Sequence, residues 1–195
     1  MTEIRRALRD FMFRGLMFES EASGFQSAGI QVGADLGQAE ERLLSEALTP
    51  FSVARRNAAL AMGRLYVVLH CFENEVRALI RETLEEKEGA DWAEKLPPKI
   101  RAFAEGRQKS AQDETWLEGE KSDLLGFTDF GHLSAIIIDK WIHFEDIMPT
   151  QHWLKQRLDE LEKTRHFIAH NRVLLPSEFQ RVYMYIADWN RVVGL

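Results

Sequence analysis

A chain of 195 residues with 45% apolar and 29% charged side chains has the make-up of an ordinary water-borne domain, which excludes disorder and a membrane-embedded composition. One domain is expected, with room for one appended element. The formal net charge of −6 excludes a general nucleic-acid coat, which needs a broad basic surface.

The charge is uneven. Residues 151–195 hold seven Lys/Arg against five Asp/Glu, a surplus of two that leaves −8 for the first 150 residues. A site for an anionic substrate is therefore better placed near the C-terminal end. The longest apolar runs, such as Leu133 to Ile138 broken only by Ser134, fall far short of the roughly 20 residues that span a bilayer, so no membrane crossing is expected.

Apolar residues recur at helical spacing throughout and no stretch alternates as a half-buried strand would, which predicts an all-α fold. A first helix over residues 2–18 carries Ile4, Leu8, Phe11 and Leu16 on one side and arginines on others. Glu3 and Asp10 interrupt its basic run and no small-residue cleavage site follows, so it is read as part of the mature chain. Residues 20–37, with Gly24, Gly29, Gly33 and Gly37, read as a connector, so residues 1–37 form a helical arm ahead of a domain spanning 38–195. A basic amphipathic helix suits a membrane surface, but packing against protein is the commoner use and the one expected here.

A short helix at 38–48 stops before Pro50, and a long one follows over 52–88. In it Leu60, Gly63, Tyr66, Val67, His70, Asn74, Arg77 and Arg81 succeed one another at three- and four-residue steps, and its apolar half is expected in the core. Cys71, the single cysteine, falls in that run; a buried, inert thiol is expected, which fits a reducing compartment such as the cytoplasm. Leu96-Pro97-Pro98 restarts the chain into a helix at 99–109, and the polar stretch 110–123 reads as an exposed insertion. A helix at 128–147 ends before Pro149. The next starts near Thr150 and is broken by Pro176, and a last one covers 177–192. The tryptophans at 92, 116, 141, 153 and 189 are expected to pack in the core rather than to stack on bases.

On the penultimate helix Leu154, Leu158, Leu161 and Ile168 form a packed stripe, and Arg165 takes the position in register between the last two. Burying a guanidinium costs several kcal/mol unless it is paired. Either a carboxylate lies opposite, or the face borders a solvated cleft that receives an anion, or the side chain snorkels to the surface. Then come His166, Phe167, Ile168, Ala169, His170 and Asn171. Metal-free RNA cleavage needs a base for the 2′-hydroxyl proton, a donor for charge developing at phosphorus, and an acid for the leaving 5′-oxygen. Histidine and arginine supply these near neutral pH. Spacing alone is weak: 17 arginines and six histidines give about half a chance match at any fixed separation. Arg64 and His70 flank five residues, but that pair lies in a run assigned to the core.

The Arg165 to Asn171 segment on a late helix of an all-α chain, with Phe72-Glu73-Asn74-Glu75-Val76-Arg77 on an early one, the Trp92 and Leu96-Pro97 connector and a closing helix with Trp189, resembles HEPN domains. The closest likeness is to the subgroup also found attached to a eukaryotic nuclear RNA-surveillance endoribonuclease, and it covers residues 51–193. The resemblance implies an up-and-down helical bundle that dimerises with its two motifs facing each other. It implies an endoribonuclease needing no cofactor, often a toxin checked by an antitoxin or a phage-defence effector. Arg165 and His170 would be the catalytic pair, with His166 and Asn171 supporting. Some members instead only bind nucleotides or scaffold partner proteins, so a non-catalytic helical dimer is the alternative.

Five steps of 100° set Arg165 and His170 about 140° apart on an ideal helix, so a symmetric second copy or a distorted helix end is needed to bring two such groups onto one substrate. Glu73 and Arg77 read as an i,i+4 ion pair or as lining of the same cleft, with Asn74 on its edge. Glu162, His166 and His170, four apart, are a weaker reading as metal ligands, and no metal is expected.

Overall fold

A computed structural model of the chain describes residues 36–114, 116 and 119–194, with side chains from residue 41 onward. The expected helix at 2–18 and the glycine-rich connector up to residue 35 lie outside the described residues. Among the described residues there are α-helices and 3₁₀ turns and no strand. The described backbone divides into two units, one ending at Val53 and one beginning at Ala54.

In the first unit, α1 (Leu36–Leu48) ends in a turn in which the Thr49 hydroxyl donates to the Ser45 carbonyl at 3.0 Å. The second unit begins one residue into α2 (Val53–Glu88) and continues through α3 (Pro98–Asp113), α4 (Phe130–Asp139), α5 (Gln151–Ala169) and α6 (Pro176–Val193). Its core forms where apolar residues at steps of three and four meet. Leu65, Leu69, Phe72, Val76, Ile80 and Leu84 of α2 pack with Phe130, Leu133, Ile136 and Ile137 of α4. Leu154, Leu158, Leu161 and Ile168 of α5, with Val182 and Trp189 of α6, join the same cluster, so the predicted stripe on the penultimate helix is buried as expected. Each such Leu or Ile contributes about 2 kcal/mol.

Polar links set the helix directions. Arg165 meets Glu73 while Ile168 and Ala169 lie beside Met62 and Tyr66, so α5 runs antiparallel to α2. Tyr185 bonds Glu160 and Arg157 bonds Asp188, so α6 runs antiparallel to α5. The Arg157 guanidinium also lies 4.6 Å from the Trp153 ring centre and 5.4 Å from that of Tyr185, which fastens the two helices.

Several expected boundaries move. The helix foreseen at 128–147 stops at Asp139, because Lys140 and His143 turn onto Glu88 of α2; a 3₁₀ turn (Trp141–His143) then swings Phe144 and Met148 into the core. Residues 110–113 of the expected insertion continue α3. Its far end is tied down by Asp123, which pairs with Arg81 and caps the turn Leu124–Phe127. Trp92 and Trp189 are buried and Trp141 and Trp153 half-buried, as expected, but Trp116 is 79% exposed. Pro176 does not break the penultimate helix; it opens α6 at a first-turn position that lacks no needed N–H.

The N-terminal half of α2 departs most. Met62 is its first buried side chain, and Leu60, Tyr66 and Val67 are exposed, as are Arg64, His70 and Cys71. Cys71 is therefore not the buried thiol its apolar neighbours suggested, and the Arg64 and His70 pair is not in the core. No helix among the described residues is long and apolar enough to cross a membrane.

Candidate functional site

Glu73 projects from the inner edge of α2 and is buried, with 8% of its side chain exposed. Two guanidiniums flank it. Arg77, one turn along the same helix, donates from Nη2 to Glu73 Oε1 at 2.5 Å and also to the carbonyls of Leu125 and Thr128 and to Asn74 Oδ1. Arg165 comes from α5, its Nε 3.7 Å from Glu73 Oε2. That separation is an ion pair and not a hydrogen bond, and Arg165 Nε is buried without any hydrogen-bond partner. A third of the Arg165 side chain remains exposed. Two cations against one carboxylate leave a surplus of one positive charge, at a guanidinium whose donors are not all satisfied. This is a local preference for an anion.

The other motif residues gather at the C-terminal end of α5, and the local bonding explains how. His170 is the C-cap, with its N–H donating to the His166 carbonyl at 3.1 Å. Asn171 adopts a left-handed backbone, φ 57°, and donates to the Ile168 carbonyl, while the N–H of Arg172 reaches back to the Phe167 carbonyl at 3.2 Å. These two bonds make a Schellman stop, and asparagine is the residue after glycine that tolerates its left-handed position best. Arg172 closes it by lying 5.4 Å over the Phe167 ring. Asn171 thus ends the helix and holds His170 at the cap, with the imidazole exposed; His166, one turn earlier, is exposed too.

The structure joins Arg165, Glu73, Arg77 and Asn74 in one polar cluster on the seam between α2 and α5. His166, His170 and Asn171 sit at the end of that seam, with Arg165 turned toward α2 and His170 toward solvent. Of the three readings of Arg165, the carboxylate partner is present in Glu73. Glu162 does not join His166 and His170: it accepts a bond from the Gly131 N–H at 3.1 Å, and among the described residues no group of three or more His, Cys, Asp or Glu is placed to hold a metal. The residue that sequence reasoning passed over is His70. It belongs to the cluster through Asn74, whose amide lies 3.2 Å from His70 Nε2, and the signal for it was the helical register of Tyr66, His70, Glu73 and Arg77.

Beyond the cap the seam opens into a cavity of about 460 Å³ lined by Met62, Gly63 and Tyr66 of α2 and by Ile168, Asn171 and Val173. The cavity and the cluster therefore share one face of the second unit.

A family model described as Swt1-like HEPN matches residues 67–194, a span that holds the whole polar cluster and the helix cap. No match to the chain was found among curated proteins or among solved structures.

Proposed function

Because the chain belongs to the Swt1-like HEPN family, we propose that it is an endoribonuclease that cuts RNA without a metal, through a 2′,3′-cyclic phosphate. The observation that carries this reading is Arg165, a guanidinium left one-third exposed in a cluster of surplus positive charge, on the helix that ends in an exposed His170. In this mechanism an imidazole takes the 2′-hydroxyl proton, the 2′-oxygen bonds to phosphorus, and the bond to the 5′-oxygen breaks as that oxygen receives a proton from an imidazolium. Arg165 faces the charge that builds on the phosphorane. One His170 serves one of the two proton transfers, and a second copy of the chain brings another, so the working form is a homodimer with the motifs facing each other across the two-fold axis. His166, exposed one turn before His170, is assigned in this reading to the RNA backbone.

The test is cleavage of single-stranded or looped RNA in EDTA by the purified chain and by Arg165→Ala and His170→Ala. Wild type is expected to leave cyclic-phosphate ends and to spare DNA, which lacks the 2′-hydroxyl. Each variant should lose about 10²-fold or more in rate while staying folded. Growth arrest on expression, relieved by either substitution, is the cellular counterpart expected of a toxin or defence effector. Activity that vanishes with chelator and returns with zinc would overturn the mechanism. No cleavage by any of the three, with Arg165→Ala alone weakening self-association, would favour a non-catalytic dimer that binds a nucleotide or partner protein.

A further inference from the structure

We propose that His70 is a further substrate-contacting imidazole of this site, a hydrogen-bond donor that offers Nδ1–H to a phosphate oxygen of the RNA; the proposal rests on the ribonuclease reading above. The chemistry of its neighbours fixes the tautomer. Arg77 can only donate, so the Asn74 atom 3.2 Å from its Nη1 is the amide oxygen. The other end of that amide is therefore the NH₂ group, which lies 2.9 Å from the His70 carbonyl oxygen and 3.2 Å from His70 Nε2. Its two protons serve these two acceptors. Nε2 must then present its lone pair, and the neutral ring carries its proton on Nδ1.

The pin itself is rigid. Arg77 is anchored by the carbonyls of Leu125 and Thr128 and by buried Glu73, so it fixes Asn74, and Asn74 fixes the ring. His70 is exposed and thus presents an oriented donor at Nδ1.

Its position fits the site. At 100° per residue Tyr66, His70, Glu73 and Arg77 lie within about 60° of one another on α2. Tyr66 lines the cavity with Ala169 and Asn171, and Glu73 meets Arg165. Along the helix axis His70 falls between them, and around the helix it stands at the edge of the arc they define. A directional donor there complements the Arg165 cation: it positions a phosphate oxygen that the guanidinium attracts by charge.

The experiment pairs kinetics with ring-nitrogen NMR on the full chain. His70→Ala is expected to raise KM about ten- to a hundredfold with kcat changed little, as loss of a bond to a charged phosphate does. His70→Asn, whose amide nitrogen occupies the place of Nδ1, should restore binding, and His70→Gln, which places it at Nε2, should not. In wild type the His70 ring is expected as the Nδ1–H tautomer, and its Nδ1 signal should shift on adding a 2′-O-methyl RNA, which binds without being cut. A wild type that cuts RNA while His70→Ala has unchanged KM overturns the donor role and leaves the ribonuclease reading standing. Failure of His70→Asn to rescue, with one limb of the pH profile lost, makes His70 a proton carrier and also overturns it. A wild type that cuts no RNA while the 2′-O-methyl RNA still shifts His70 defeats the ribonuclease reading and supports this contact.

Discussion

Glu73 carries one negative charge between two guanidiniums, and the two do different work. Arg77 is 12% exposed and holds two backbone carbonyls as well as the carboxylate, so it ties α2 to the turn before α4. Arg77→Ala breaks a buried pair and should cost about 3 kcal/mol, seen as a lower chemical-denaturation midpoint. Arg165→Ala leaves Glu73 still bonded to Arg77, so a stability change under about 1 kcal/mol is expected beside the large loss of cleavage. Equal destabilisation by both would show that Arg165 is structural. The misfit of Arg165 in an apolar stripe was legible in the sequence, because periodicity exposes a charge where packing wants a hydrocarbon. The identity of its partner was not, because Glu73 lies 92 positions away and only the packing of α2 on α5 selects it. Asn171 was legible as part of a motif but not as its helix stop. With φ at 57°, Asn171→Gly should keep both stability and cleavage, whereas Asn171→Val should cost 1 kcal/mol or more, roughly, and displace His170. Full activity with valine would separate the cap from the chemistry.

At the level of the helices, the ends are set by contacts that periodicity does not encode. The N-terminus of α4 is met by Glu162 of α5, whose Oε1 accepts from Gly131 N–H; a methyl group on Gly131 would come within 2.8 Å of that oxygen. Gly131→Ala should push the carboxylate aside and cost about 1 kcal/mol, lowering the melting temperature without changing the cleavage pattern. The end of α4 is set by Glu88, which receives Lys140 and His143. Burial would raise the Glu88 carboxyl, but the bonds from Lys140 and His143 outweigh it and hold the group below its ordinary value. A carboxylate lowered in the fold stabilises above the range where unfolded glutamate titrates, near pH 4.3, and loses that contribution as pH falls through its folded value. Wild type should therefore melt above Glu88→Gln at pH 7, by about 1 kcal/mol of stability, and the two curves should converge as pH falls below about 4. A constant gap across that range would assign the effect to packing. The order and number of helices from residue 38 onward were readable because each carries a strong apolar period. The early stop of α4 was not, since Trp141 and Ile142 continue that period while Lys140 and His143 turn away to a distant carboxylate.

For the molecule as a whole, the question left by α2 is what covers its N-terminal half. At 1.5 Å per residue this 36-residue helix is about 54 Å long, and no side chain before Met62 is buried. Leu60 and Val67 are 37% and 61% exposed, and seven residues put them within about 20° on one face. Apolar residues at helical spacing report that something buries them but not whether it belongs to the same chain. This is why Leu60, Val67 and Cys71 read as core from the sequence and are exposed among the described residues. A second copy is the occupant that the proposed reaction itself requires, since it brings a second His170. We expect wild type to sediment as a dimer at micromolar concentration. Leu60→Asp with Val67→Asp should yield a folded monomer with an unchanged melting profile at low concentration and cleavage reduced at least tenfold, because the two motifs no longer meet. Cys71, one turn beyond Val67, provides an independent readout: its thiol should react slowly with a bulky maleimide in the dimer and quickly in the double variant. A monomeric wild type that cleaves RNA, or a double variant that remains dimeric and active, would place the functional pairing elsewhere on the molecule.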